Sequence, residues 1–376
     1  VKDNNDKRGV SMLGTARHYF ARGNTARGAH FLYASAFQQL TKVYLLDGPP
    51  GTGKSTILRQ LTDVMIKQGR NLQLFHSPLY PDSLDAIIIS DLKVGVADGR
   101  LCEGLSSLKD ADIVHIDFGQ AVDESQLSDV KLAEIHKLQQ LLHHSYSNAY
   151  SSFATALRTH DDWEKVYINH MNFAEADHIT QHLISSLFEQ QLLNKQPTVR
   201  HLFFGAATPI GAVDHIQNLT ADLDTRIFIK GRPGSGKSTL LKQVAKTAEQ
   251  QGYDLEIFHC GFDPHSLDML IIPELSLAIF DSTAPHQYFP NRIGDEILDM
   301  YERTIQPGTD EHYATELEPI KKRYSQHMKV AISYLAEAQK HDSTIKAYYV
   351  AATDFKSIQS LYDQLRTEIE LLTVHS

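Results

Sequence analysis

A glycine-rich octapeptide occurs twice in this chain, and no other feature narrows the choice of fold as far. It reads Gly48-Pro-Pro-Gly-Thr-Gly-Lys54-Ser55 in the first half and Gly231-Arg-Pro-Gly-Ser-Gly-Lys237-Ser238 in the second. Both satisfy G-x-x-x-x-G-K-[ST], the spacing of a phosphate-binding loop. Each follows a short apolar run (residues 43–46 and 227–229) and opens a stretch with helical periodicity. Strand, glycine loop, helix is the context in which the pattern carries structural meaning.

The residue types match the chemistry. Glycines let consecutive backbone N–H groups converge on phosphate oxygens, and the helix N-terminus adds unpaired donors and partial positive charge. Lys54 and Lys237 are expected on the β- and γ-phosphates, with the hydroxyls of Ser55 and Ser238 on Mg²⁺. The expected nucleotide contacts in the first loop are Gly48, Pro50, Gly51, Thr52, Gly53, Lys54, Ser55 and Thr56. Those in the second are Gly231, Pro233, Gly234, Ser235, Gly236, Lys237, Ser238 and Thr239. The cofactors implied are ATP and Mg²⁺. Asn194-Lys195-Gln-Pro lacks the Asp of a guanine-reading N-K-x-D motif, which favours ATP over GTP.

The repeat extends far beyond the loop. Sliding the chain by 183 positions aligns residues 17–98 with 200–281 without a gap, and roughly 29 of the 82 pairs are identical. Arg17-His18 matches Arg200-His201, Phe75-His76 matches Phe258-His259, and Asp98 matches Asp281. Two copies of this size mean a duplicated domain and not a solenoid. The division expected is a flexible tail at 1–14, a first domain at 15–192, a linker at 193–198 and a second domain at 199–376. The two halves are expected to pack as an intramolecular pseudo-dimer.

Strands alternating with helices predict an α/β fold in each half, a mostly parallel sheet with helices on both faces. A strand at 18–21 (201–204) is expected to lead through a Thr-x-x-Gly turn into a helix, before the loop strand. A helix follows from Lys54 to about Gln68, with Gly69 (Gly252 in the copy) placed for a left-handed cap. Strands at 72–76, 86–89 and 94–97 complete the shared part. Beyond Asp98 and Asp281 the halves diverge into helical insertions, with apolar spacing at 134–143 and 320–337. A terminal strand and helix (165–188; 346–372) are expected to return to the sheet.

Composition narrows the function. A net charge of −10 and a pI near 6.0 argue against DNA or RNA as a general partner. The absence of a long apolar run argues against a membrane span. The polar first residues lack a secretory core, and two cysteines make neither a disulfide framework nor a zinc site, so a reducing cytoplasm is expected.

Phosphoryl transfer needs an acid near Mg²⁺ at a strand end. Asp98 and Asp281 are the favoured pair, with Asp91 and Glu274 as rivals and a merely solvated strand-end carboxylate as the plain alternative. His76 and His259 end the strand after the loop helix, where open α/β sheets place ligands. Each is a candidate donor or general base, or else a structural histidine. Ser83/Asp85 and Ser266/Asp268 read as a turn or cap pattern, with contact with substrate as the sharper and less favoured alternative. Thr283, His286 and Arg292 occur only in the second half, and Arg100, Arg292 and Arg323 are possible charge-stabilising groups. His178-x-x-x-His182 has metal-ligand spacing without the Glu of a zinc protease, and reads as a solvated face.

On these residues the chain resembles a family of bacterial, largely Firmicute, tandem P-loop proteins labelled ATPase or nucleotide kinase. The resemblance covers nearly the whole chain. It rests on both loops, on Phe258-His259-Cys260-x-Phe262-Asp263-Pro264-x-Ser266-Leu267-Asp268, on Ile271-Ile272-Pro273-Glu274-Leu275, and on Asp281-Ser-Thr-Ala-Pro-His286. That family also carries Asp-Gly-Thr-Ala-Pro-His in its first half, where this chain has Asp98-Gly-Arg-Leu-Cys-Glu103. The expectation is therefore Mg-dependent ATP hydrolysis that drives a conformational change, with the second half the more catalytic. Transfer of the γ-phosphate to a nucleotide or small-molecule acceptor is the alternative, and a nucleotide-sensing scaffold for a protein partner is a third.

Overall fold

The two glycine loops lie in two copies of one six-stranded sheet. The structure is a computed structural model that describes residues 13–188 and 192–372; most of the expected flexible tail lies outside them. The first half contains β1 (Ala16–Tyr19), β2 (Arg22–Thr25), β3 (Gly28–Phe31), the single-turn α1 (Tyr33–Ala36) and β4 (Lys42–Asp47). It continues with α2 (Lys54–Lys67), β5 (Leu72–His76), β6 (Leu84–Ile89), β7 (Val94–Asp98), β8 (Asp112–Asp117), α3 (Asp129–Ile168) and α4 (Phe173–Phe188). The second half repeats the order with β9 (Val199–Leu202), β10 (Gly205–Thr208), β11 (Gly211–Asp214), α5 (Ile216–Leu219), β12 (Thr225–Lys230) and α6 (Lys237–Gln250). Then come β13 (Leu255–His259), β14 (Leu267–Ile272), β15 (Leu277–Asp281), β16 (Asp295–Asp299), the short α7 (Met300–Thr304) and α8 (Thr309–His312), α9 (Ala314–Ala352) and α10 (Phe355–Leu372). Among these described residues no helix is long and apolar enough to cross a membrane.

The strand orders are β1-β5-β6-β7-β4-β8 and β9-β13-β14-β15-β12-β16, the same topology twice. All neighbours are parallel except β6 and β14, which run antiparallel to both of theirs. The reason is connection length: residues 77–83 and 90–93 are too few for a parallel crossover. Lys93 and Ser276 close the tighter turn with φ of 53° and 48°. Gly69 and Gly252 take left-handed φ (79° and 89°) after α2 and α6, as expected of C-terminal caps.

Three expectations are corrected. The Thr-x-x-Gly segment does not lead directly into a helix. It turns the β2–β3 hairpin, where Thr25 Oγ1 donates to Gly28 O (2.7 Å) and accepts from Arg27 N (3.1 Å); Thr208 repeats the first bond. After Asp98 and Asp281 each sheet gains a further parallel edge strand, β8 or β16, before any helix. No terminal strand forms at 165–168, which is the last turn of α3, or at the start of 346–372, where α9 runs on to Ala352.

Alternation along the strands sorts side chains onto two faces. In β4, Tyr44 and Leu46 face α2, where Ile57, Leu58, Leu61 and Met65 form one buried stripe. Val43 and Leu45 face the other way, into a core shared by both halves that includes Phe75, Phe204, Phe258 and Phe280. Long helices therefore cover only one face of each sheet. The second face is closed by α1 or α5 and by the other half.

The helices on that first face are exchanged. Ile358, Tyr362, Leu365 and Ile369 of α10, the last helix of the second half, lie in the core of the first sheet. Ala176, Ile179 and Phe188 of α4 lie in the core of the second, against Leu240, Leu241 and Val244. The long helices α3 and α9 make the exchange possible. Each is about 60 Å long at 1.5 Å per residue, and they pack antiparallel. Ile135 and Leu138 meet Ile345 and Ala352, Phe153 meets Ala331 and Leu335, and Tyr167 meets Leu317. At the pseudo-twofold centre Phe20 and Phe203 exchange backbone hydrogen bonds (2.9 and 3.0 Å). Beside them Glu256 is paired with both Arg17 (2.8 Å) and Arg200 (3.0 Å).

Each fully buried aliphatic side chain of α10 contributes about 1.5–3 kcal/mol. Leu365→Ala should destabilise the protein by roughly 2–4 kcal/mol, read from urea unfolding. Native-state hydrogen exchange should then show protection lost in β4–β7 and α2, with β12–β15 little changed. Loss confined to the second sheet would contradict the exchange of helices.

Candidate functional site

The loops take the shape their residues call for. Gly53 and Gly236 are the N-caps of α2 and α6, with φ of 89° and 85°, and no side chain caps either helix. The first-turn N–H groups therefore lack a side-chain acceptor, which is the condition for anion binding at a helix start. Thr52 Oγ1 donates to Pro49 O (3.0 Å) and Ser235 Oγ to Arg232 O (2.8 Å), so each loop closes on itself. Lys54 Nζ donates to Gly48 O and Pro49 O, both at 2.8 Å, and Lys237 Nζ to Arg232 O at 2.9 Å. Gly51 and Gly234 have positive φ and touch the opposite half: a Cβ on Gly51 would lie 2.5 Å from Lys346 O, and one on Gly234 2.7 Å from Glu164 O. The end of α9 thus closes over the first loop and the end of α3 over the second.

Of the rival carboxylates, the structure brings Asp98 and Asp281 to the lysines. Asp98 Oδ2 is 3.6 Å from Lys54 Nζ, and Asp281 Oδ2 is 3.5 Å from Lys237 Nζ. Their other oxygens accept from Arg100 N (3.0 Å) and from Thr283 N and Oγ1 (3.0 and 2.6 Å). Burial raises the Asp98 carboxyl above its usual range and lowers Lys54, and the attraction between them offsets only part of this. Asp91 and Glu274 follow antiparallel strands, so they sit at the opposite end of the sheet, paired with Arg70 and Lys195. The hydroxyls of Ser55 and Ser238 accept from Leu84 N (3.2 Å) and Leu267 N (3.0 Å), which fixes them beside the loop lysines and leaves their protons free.

His76 and His259 are held in structural pairs. Nδ1 of each meets a carbonyl, Pro81 O (2.7 Å) or Pro264 O (2.6 Å), so it carries the proton. Nε2 of each then accepts from His18 or His201 at 2.8 Å. Burial brings both down to about 4, so both are neutral near pH 7. Neither ring nitrogen is left to face a substrate, and His259 is not among the residues that line the large cavity described below. Arg292 donates to the carbonyls of Thr220, Ala221 and Leu223, a role in holding the chain rather than in facing phosphate. His286 and the Tyr288 hydroxyl both bind Asp214 at 2.7 Å, which folds the Asp281-Ser-Thr-Ala-Pro-His286 loop back over the sheet.

A cavity of about 1870 Å³ opens above the second loop, with Gly231 to Thr239 on its wall. Asp281, Thr283 and His286 come from the strand end; His160, Asp161 and Glu164 come from α3; Tyr324 and Met328 come from α9. The site is therefore completed by the first half's helix. Donor atoms of His160, Asp161 and Glu164 lie within 4.8 Å of one another, close enough to share a cation. Burial lowers His160 and raises Glu164.

Of the two readings of Asp268, turn cap and substrate contact, the structure removes the favoured one. Asp268 is not a turn cap: it is the second residue of β14 and its side chain reaches the cavity. Burial and the neighbouring Asp281 push it up to about 6. The available signal was its identity with Asp85, together with the loss of that residue's partner, Arg22, from the second copy. Compared with protein-family models, curated proteins and solved structures, the chain finds no match in any of the three.

The histidine pairs set a pH dependence of stability. His76, His259 and His215 (about 3) have folded-state values below the 6.5 of a free imidazole, so the unfolded chain binds more protons on acidification. Stability should fall as pH drops from about 6.5 toward 4. The raised Asp98, Asp268 and Glu164 act in the opposite sense but are outnumbered, because His18, His30, His160 and His201 are lowered as well. A urea midpoint that holds constant from pH 7 to pH 4.5 would contradict this.

Proposed function

We propose that the chain is a nucleotide-dependent phosphotransferase in which the second half carries out the reaction. The observation that supports this most strongly is the cavity. Ligand pockets for one small molecule are about 300–1,000 Å³, and about 1870 Å³ above the second loop leaves room for a nucleotide and a second substrate together. In this reading the loop amides and Lys237 hold the triphosphate, and Ser238 and Asp281 hold Mg²⁺. The metal, when bound, neutralises charge developing on the phosphoryl oxygens. Thr283 keeps Asp281 oriented by occupying one carboxylate oxygen, and α3 excludes water from above. The preference for ATP rests on the sequence.

The first loop, with the same lysine and serine, binds a second nucleotide without supporting transfer. Its covering helix brings Lys346, a cation, where the second site has Glu164. Lys54, Arg100 and Lys346 stand near that loop, with Asp98 3.6 Å from Lys54 and Asp342 2.9 Å from Lys346, and Arg100 and Lys346 each lower the Lys54 ammonium. The three cations outnumber these two carboxylates, which favours retention of a polyanion.

Hydrolysis coupled to movement is the second reading, favoured by the contact of α3 and α9 backbones with the loops of the opposite halves. Any shift of a loop would be carried along a 40-residue helix into the other half.

Phosphate release and transfer to a panel of acceptors, measured with Mg-ATP, separate these readings. Lys237→Ala should lower turnover by about a hundredfold, the scale of losing one donor to a developing charge, while Lys54→Ala should retain most of it. Equal losses would overturn the unequal roles. Release that needs no acceptor would favour hydrolysis. His259→Ala should lower the unfolding midpoint with little change in the Km for ATP, which a catalytic histidine would not do.

A further inference from the structure

The two halves differ at one buried charge pair, and the difference specifies a ligand. In the first half Asp85 is 2% exposed and fully compensated. Arg22 Nη2 lies 2.9 Å from its Oδ2, the Tyr33 hydroxyl donates to the same oxygen at 3.2 Å, and Arg22 also reaches Ser77 Oγ at 3.4 Å. The 183-residue offset places Gly205 where Arg22 stands, Ile216 where Tyr33 stands, and Cys260 where Ser77 stands. The carboxylate alone is kept, as Asp268. Its polar partner in the second half is the thiol of Cys260, and among the described residues no cation lies within ion-pair distance of it. Lys237 is engaged with Asp281 and the loop, and His286 with Asp214.

The β11 backbone takes the place of the arginine's first carbon, since a Cβ on Gly205 would fall 2.7 Å from Val213 O, but the carboxylate end of the pair stays open. Gly205, Cys260 and Asp268 all border the cavity that also holds Lys237 and Asp281. Asp268 is half-buried where Asp85 is buried, so it is partly desolvated and partly open to the cavity, and a desolvated carboxylate without a cation is less stable than a paired one. Retaining Asp268 while deleting its arginine is the arrangement expected when the cation is supplied from solution.

We propose that the second cavity binds a small molecule bearing a guanidinium or alkylammonium group, which pairs with Asp268 as the Arg22 guanidinium pairs with Asp85 in the first half. Arg22 is then an internal stand-in for the ligand, and its presence keeps the same molecule out of the first half. The rest of the ligand extends toward Lys237 and Asp281. This assigns the acceptor class of the proposed phosphotransfer and rests on that reading, but the binding itself does not require nucleotide.

The test is calorimetric titration of the full chain with methylguanidine and with agmatine, beside neutral N-methylurea, in magnesium-free buffer and again with Mg-ATP. The expected result is one equivalent of each cation and no binding of the urea. Asp268→Asn, checked for folding by circular dichroism, should weaken the cations by on the order of tenfold or more. Arg22→Ala opens the first site, and should take up a second equivalent and regain thermal stability with methylguanidine. Should Asp268→Asn fail to fold, the wild-type titration and the second equivalent in Arg22→Ala decide the matter without it. No cation binding by the wild type, equal binding by a folded Asp268→Asn, or binding of Mg²⁺ at Asp268 in place of methylguanidine would each overturn the proposal. ATP binding in the same samples keeps the two ideas separate: ATP bound without cation affinity sinks only this inference, and cation affinity without ATP sinks only the phosphotransferase.

Discussion

The packing of each half's last helix on the other half's sheet is the constraint from which the rest of the structure follows. An α/β sheet with one bare apolar face cannot persist in water, and here part of the cover for each sheet, beside α2 or α6, arrives from the far end of a long helix. The two halves are therefore neither two beads on a linker nor a simple docked pair. The antiparallel packing of α3 and α9 sets the distance between the sheets. The charge cluster of Arg17, Arg200 and Glu256 and the reciprocal Phe20–Phe203 bonds fix their rotation. Because the same helices end on the glycine loops, the interlock that stabilises the fold also builds the site walls. The surroundings of each loop are structurally inseparable from the other half.

Duplication followed by divergence is visible at individual atoms. Strand order, loop shape, the histidine pairs and the lysine–aspartate contact are all kept in both halves. What differs is the charge brought to each loop and the space beside it. The first half has Arg22 on Asp85, and Lys346 over its loop; the second has Asp268 without an arginine, on the wall of a cavity, and Glu164 over its loop. A buried ion pair is weak evidence of stabilisation by itself, but the loss of one member in only one copy is informative, because the other copy shows what the carboxylate was paired with.

Much of the fold could be read from the sequence because the signal was repeated. Identity at a fixed offset revealed the duplication, and the loop context gave β4, α2 and their copies. The hairpin was missed because a Thr-x-x-Gly turn looks alike before a strand or a helix. Strands β8 and β16 were missed because they fall where the copies no longer match, so repetition gave no support. The terminal strand expected at the start of 165–188 is instead helical: Tyr167 is buried at the end of α3 against Ile305 and Leu317, and tertiary packing decides the conformation there. The helix exchange could not be read at all: amphipathic spacing says which face of α4 and α10 is buried, not which sheet buries it. At the site, loop residues and Asp98 and Asp281 were legible from pattern and strand position. The structural role of the histidines and the place of Asp268 on the cavity wall depend on partners far away in sequence.

Transfer and hydrolysis alike require the glycine loops to hold nucleotide, and equilibrium dialysis with labelled ATP and Mg²⁺ measures that directly. Two equivalents should bind to the intact chain, and one equivalent to each of Lys54→Ala and Lys237→Ala. An intact, folded chain that binds none would contradict this, and the two loops would then be helix caps and nothing more.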